Sequence, residues 1–148
     1  MKKIVVVSGK FDPIHEGHIE HIIQAAKLGE YIIVITHKDE IIAKNSKKKF
    51  CAVPLKYRMM LIDGILMYNR IRGKIIVSID ENGTSVKTLE QIHKSYPLEK
   101  INIIYAKGGD RIPENMLKDE VDMCRKLGIE IRYGVGELLN SSSKMLKY

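Results

Sequence analysis

Tryptophan is absent from this chain and phenylalanine occurs only twice. So few aromatic faces leave no basic surface interleaved with rings on which unpaired bases could stack, which makes nucleic acid an unfavoured partner. Cysteine is as scarce: Cys51 and Cys124 lie far apart, with no C-x-x-C between them. That excludes a zinc ribbon, a dithiol redox motif and a disulfide scaffold, and fits reduced thiols in a reducing compartment. No apolar run approaches the ~20 residues needed to span a bilayer. The run after the two N-terminal lysines, Ile4-Val5-Val6-Val7, is too short for a signal-peptide core and suits a first strand better. Cytoplasmic residence with no membrane partner is therefore expected. A G-x-x-x-x-G-K-[ST] loop is missing, which excludes a Walker-type kinase. Gly134-Val135-Gly136 lacks the third glycine of a dinucleotide fingerprint and does not follow the first strand. Internal repeats and Pro/Gly/Ser-rich linkers are lacking too, so residues 1–148 read as one domain.

What is present is a basic, ordinary globular composition. Lys and Arg outnumber Asp and Glu by 25 to 18, a balance that suits an anionic partner such as a nucleotide or a phosphorylated metabolite. Apolar β-branched runs alternate with helical periodicity. Strands are expected at Lys3–Val7, Tyr31–Thr36, Lys74–Ile79, Ile101–Tyr105 and Ile129–Tyr133, and helices at Gly17–Leu28, Pro54–Met67, Ser85–Lys94 and Pro113–Leu127. A short helix is expected from Ser141, while Thr36–Val53 reads as irregular. Such alternation predicts βαβ units, and strands without polar alternation predict a sheet covered on both faces. The expected fold is a Rossmann-like, doubly wound α/β domain with a five-stranded parallel sheet and helices on both faces. Ligands of such sheets bind beyond the carboxyl ends of the strands, where strand order reverses.

The most informative stretch follows the first strand: Asp12-Pro13-Ile14-His15-Glu16-Gly17-His18-Ile19. A strand, a glycine-containing loop with two histidines and a helix start together make a phosphate-handling arrangement. Free N–H groups and the dipole at a helix N-terminus favour an anion, and imidazoles add donors. Gly9 and Gly17 would let backbone approach a ligand. His15, His18 and His21 are three apart, which spreads their rings over a wide arc, and no carboxylate or thiolate cluster joins them. No protein metal ligand is assigned.

Ser8-Gly9-Lys10-Phe11-Asp12-Pro13-Ile14-His15-Glu16-Gly17-His18 resembles the G-x-F-D-x-x-H-x-G-H signature of the cytidylyltransferase-like nucleotidyltransferases. Lys107-Gly108-Gly109-Asp110 resembles the K-G-G-D of their sugar-phosphate branch. Asn140-Ser141-Ser142-Ser143-Lys144 resembles the motif that opens their last helix, and Pro54-Leu55-x-x-Arg58 the P-x-x-x-R of a middle helix. The resemblance runs from residue 4 to 146. It implies transfer of NMP from ATP or CTP to a phosphorylated small molecule, a sugar or polyol phosphate first, with release of pyrophosphate and with Mg²⁺ as cofactor. It also implies roles. His15, His18 and Lys44, with Lys47 as second choice for the last, would act on the phosphates in catalysis. Gly9, Lys10, Phe11, Gly17, Lys107, Gly108, Asp110, Ser141, Ser142 and Ser143 would bind nucleotide. Asp12, Arg58 and Arg111 would meet the acceptor. Where glycerol-phosphate enzymes carry R-T-E-G, this chain has Gly136-Glu137-Leu138-Leu139, and Arg111 replaces the aromatic usual in heptose-phosphate enzymes. An FMN or other cofactor-precursor adenylyltransferase remains open, as does a non-catalytic nucleotide- or RNA-binding module. A homodimer is open too.

Overall fold

A computed structural model describes residues 2–96, 99–108 and 112–136 of the chain. Five strands, β1 (Lys2–Ser8), β2 (Tyr31–Thr36), β3 (Gly73–Val77), β4 (Ile101–Ala106) and β5 (Glu130–Arg132), form one parallel sheet in the order β3-β2-β1-β4-β5. The helices between them are α1 (Glu16–Ala26), α2 (Asp39–Asn45), α3 (Leu55–Tyr68), α4 (Val86–Ser95) and α5 (Lys118–Leu127). The chain winds from β1 outward to β3, then returns to lay β4 on the other side of β1. The reversal point of the sheet is thus between β1 and β4.

Alternate residues of one strand feed two cores, as a strand's period of two requires. Val5, Val7, Ile32 and Val34 pack under Ile22 and Ala25 of α1 and Ile62 and Leu66 of α3. Ile4, Val6, Ile33, Ile35 and Ile103 pack under Leu89 and Ile92 of α4 and Cys124 of α5. Burial on both faces explains why these strands read as unbroken apolar runs. The doubly wound parallel fold expected from the sequence is the one observed.

Two details differ. The stretch expected to be irregular contains α2, seven residues with one buried side chain, Ile42. Its acidic first turn and basic last turn suit the helix dipole. The helix expected from Pro113 is split: Pro113–Asn115 is a single 3₁₀ turn, the chain then extends, and α5 starts at Lys118. The helix expected from Ser141 lies outside the described residues. Among those described, no helix is long and apolar enough to cross a membrane.

Candidate active site

The loop from β1 to α1 leaves the sheet beside its reversal point. Gly9 donates its N–H to Ile35 O at 3.0 Å, which ties the loop to β2. Phe11 takes a left-handed backbone (φ 53°) that costs a non-glycine residue roughly 1–3 kcal/mol. Burial of its ring, only 1% exposed, holds it there. A Cβ on Gly9 would lie 3.0 Å from Phe11 Cζ, so this glycine makes room for the ring. Its amide is engaged within the protein by Ile35 O. The N–H groups of Lys10 and Phe11 have no protein partner among the described residues.

His15 is the N-cap of α1 and His18 its third residue. Gly17 N–H donates to His15 Nδ1 at 3.1 Å, and His15 N–H donates to His18 Nδ1 at 3.3 Å. This is a reciprocal capping box built from two imidazoles in place of the usual hydroxyl and carboxylate. Since each Nδ1 accepts, the hydrogen-bond network assigns the ring proton to Nε2 in both residues. The rings stack with centroids 3.8 Å apart, and Phe11 meets His18 edge-on at 5.1 Å. Burial, with the neighbouring His15 and His21 adding to it, pushes His18 down to about 3. Burial lowers His15 as well, against the opposing charge of Glu16. At neutral pH the pair is uncharged and carries two Nε2–H donors, neither taken by a described residue.

That electrostatic state has a measurable consequence. Both histidines titrate below the ordinary value near 6.5, so the unfolded chain binds their protons first as pH falls. Their contribution is flat above about 6.5 and destabilises the fold progressively between there and about 3. The urea midpoint should therefore be lower at pH 5 than at pH 7.5. The variant His18→Asn, which keeps an acceptor for the His15 amide, should flatten that decline; an unchanged slope would count against the neutral stacked pair.

Asp12 and Arg58 have places other than those expected. The Asp12 carboxylate is enclosed, accepts Ala52 N–H at 2.8 Å and Val53 N–H at 2.6 Å, and pairs with Lys48 Nζ at 2.8 Å. Burial pushes this carboxyl up, but Lys48 and the two amides outweigh it and hold the group below its usual range. Arg58 is 0% exposed. Its donors reach Val53 O (2.8 Å), Lys10 O (3.1 Å), Thr36 Oγ1 (2.7 Å), His37 O (2.8 Å) and Asp39 Oδ1 (2.7 Å). Acceptor contact by either residue is replaced by an internal role, binding the loops after β1 and β2 to the start of α3. Of the lysine run, Lys48 is the residue that turns inward. Lys44 is exposed in the last turn of α2, one residue before Asn45, whose carbonyl accepts from Lys10 Nζ at 2.9 Å. Lys47 is exposed too. Lys10 itself is held below the usual lysine value by burial and by Lys48, partly offset by Asp12.

Across the reversal point a second polar group closes the ends of β4 and β3, one that no sequence pattern announces. Tyr105 donates to Glu120 Oε1 (2.9 Å) and receives Ser8 Oγ (2.6 Å) and Lys107 Nζ (3.2 Å). Glu120 also accepts Ser85 N–H at 3.0 Å. Asp80 accepts the N–H groups of Lys87 (2.8 Å) and Thr88 (3.0 Å), capping α4 from six residues before its first turn. Beside them His37 is buried, its Nδ1 without a partner among the described residues, and burial lowers its pKa. Cap carboxylates are legible at N-cap spacing; a cap delivered from the preceding strand end is not.

Beyond β5, Val135 N–H donates to Lys107 O at 2.9 Å and Val135 O meets His21 Nδ1 at 2.6 Å. Gly136 sits so close that a Cβ there would be 3.0 Å from His21 Cα. The structure thus brings His15, His18, Gly17, Lys10, Phe11, Lys107 and the chain after β5 to one edge of the sheet. Gly108 follows Lys107 on that edge. Asp110, Arg111, Ser141, Ser142 and Ser143 lie outside the described residues. Among the described residues no three His, Cys, Asp or Glu side chains are grouped to hold a metal ion. Asp12, Asp80 and Glu120 all spend oxygens on protein donors, so these described carboxylates do not build a Mg²⁺ cage.

A family model described as cytidylyltransferase-like matches residues 6–132. Bifunctional protein HldE of Pasteurella multocida is 27% identical over 119 residues, 78% of this chain and 21% of that protein. Ethanolamine-phosphate cytidylyltransferase of Dictyostelium discoideum is 35% identical over 60 residues, 40% of this chain and 17% of that protein. The chain therefore spans about a fifth of the length of these curated relatives. Among solved structures, a lipopolysaccharide core biosynthesis protein from Thermoplasma volcanium superposes with a TM-score of 0.65 at 22% identity, over 93% of this chain and 98% of that one. A bifunctional NMN adenylyltransferase/ADP ribose pyrophosphatase from Francisella tularensis gives 0.65 at 16% identity, over 98% of this chain and 41% of that one. At these identities the two structures show a common fold.

Proposed function

Because the chain belongs to the cytidylyltransferase-like family of nucleotidyltransferases, we propose that it transfers NMP from ATP or CTP to a phosphorylated small molecule. An oxygen of the acceptor phosphate attacks the α-phosphorus of the NTP, a new P–O bond forms, the α–β bridging bond breaks and pyrophosphate leaves. The nucleophile is already anionic, so the reaction asks for positioning and for stabilisation of charge on phosphoryl oxygens. The observation that carries this reading is the neutral His15–His18 pair. It offers two Nε2–H donors beside the start of α1, in a loop fixed by the Phe11 ring and the Arg58 contacts.

The remaining roles follow the same chemistry. The free amides of Lys10 and Phe11 and the ammonium groups of Lys10 and Lys107 supply positive potential. Lys44, at the exposed end of α2, is assigned to the triphosphate tail. Ser141, Ser142 and Ser143 are assigned to the leaving β,γ-phosphates. Their reach is supported by Val135, six residues before Ser141, which lies against His21, one turn beyond His18. Asp110 is assigned to the ribose hydroxyls and Arg111 to the acceptor. Mg²⁺ is assigned to the phosphates of the incoming nucleotide, where it would neutralise charge, and no step above depends on an ion held by protein. A sugar or polyol phosphate is the favoured acceptor, on the likeness of Lys107-Gly108-Gly109-Asp110 to the sugar-phosphate branch. Ethanolamine-phosphate cytidylyltransferase also acts on a small phosphate ester, as its name states.

The test is pyrophosphate release from ATP, CTP, GTP and UTP against panels of sugar phosphates, polyol phosphates and FMN. One NTP and acceptor pair should release pyrophosphate well above an acceptor-free blank. Turnover with FMN alone would move the acceptor to a cofactor precursor, and no turnover with any pair would overturn the enzymatic reading.

A further inference from the structure

The helix α3 is apolar on two sides, and only one of them is used. Inward it contributes Ile62 and Leu66 to the core. Outward, Tyr57 (52% exposed), Met60 (60%), Leu61 (50%), Met67 (72%) and Tyr68 (89%) stand in solvent. Their spacing of three and four residues puts them along one face. Gly64 is at the middle of that face. A Cβ there would meet nothing within 4 Å, so no neighbour in the protomer requires a glycine. In a helix interior glycine costs about 1 kcal/mol relative to alanine. A second backbone crossing closely at this point would make use of the missing side chain.

We propose that two copies of the chain associate through the outer faces of their α3 helices, crossing near Gly64. Taking roughly 150–250 Å² for a large side chain, the five exposed residues present on the order of 650 Å². A stable interface uses about 800 Å² per partner, so this stripe supplies most of one. The same stripe on each copy is what a two-fold axis requires. Charge argues for self-association over a charged partner. The exposed part of α3 carries one lysine, Lys56, and one acid, Asp63, so it offers no net field for an acidic or basic protein. It is a nearly neutral strip on a chain of net charge +7, where two like-charged copies could approach with least repulsion. The inference does not depend on the catalytic reading.

Sedimentation equilibrium of the full chain over a wide concentration range tests it. The wild type should fit a monomer–dimer equilibrium. Gly64→Leu should raise the dimer dissociation constant about tenfold or more. The same substitution should leave the helical circular dichroism intact, since leucine is the better helix former. Leu61→Lys should act likewise, whereas Leu117→Lys, an exposed apolar residue away from α3, should not. A wild type that stays monomeric throughout overturns the proposal. So does a dimer that survives Gly64→Leu with unchanged affinity.

Discussion

Replacing His18 by alanine is expected to lower kcat by about 10²–10³-fold, the scale of losing one pre-aimed donor to a developing oxyanion. KM for the nucleotide should change much less, because the Nε2–H bond strengthens as charge builds on the phosphoryl oxygens. His15 needs a finer substitution. Alanine there would also remove the N-cap acceptor of α1 and cost about 1 kcal/mol of stability. His15→Asn keeps a cap acceptor while removing the Nε2 donor. It should therefore melt near the wild-type temperature yet lose kcat to a similar degree. Steady-state kinetics together with thermal melts separate these effects. A His15→Asn or His18→Ala enzyme with full kcat and only weaker nucleotide affinity would make the pair ordinary binding groups.

The second large effect falls on stability. Arg58→Ala should cost about 3–5 kcal/mol, the range for removing one partner from a buried charged network. Its five hydrogen bonds join segments on both sides of β2, and four of the acceptors belong to Val53, Lys10, Thr36 and His37. Loss of the guanidinium strands those acceptors in an enclosed place, while Asp39 can still reach water. Lysine should not rescue the site, since a single ammonium cannot span acceptors arranged for a planar fork. Urea unfolding of Arg58→Ala and Arg58→Lys is the measurement. A loss under 1 kcal/mol in both would show that water can replace the guanidinium, and that the loops do not rely on it.

Arg58 also marks where the sequence stopped being legible. The sheet could be read in advance because Val5, Val7, Ile33 and Ile35 belong to runs buried on both faces, and burial leaves a compositional trace. The His15–His18 loop was legible because a strand, a turn and a helix start are adjacent in sequence. An arginine four residues into a helix, by contrast, looks the same whether it meets solvent phosphate or closes on five protein oxygens. Lys48 and Lys44 pose the same problem: a run of lysines does not say which one turns inward toward Asp12. The Tyr105–Glu120 and Asp80–Thr88 contacts join residues that only the folded sheet brings together. No local pattern encodes them.

The imidazole capping box sets a limit on what the loop can activate. Each Nδ1 is occupied by a backbone amide, so a proton delivered to that atom would break the first turn of α1. The two rings can give hydrogen bonds from Nε2 but cannot relay a proton from one nitrogen to the other. An alcohol without a phosphate would have to surrender its proton, and neither histidine is free to carry it away. If the loop serves the proposed transfer, it should favour nucleophiles that arrive already ionised. A sugar phosphate would then react at its phosphate and not at its hydroxyls, because neither imidazole at the helix start has a nitrogen free to take their protons.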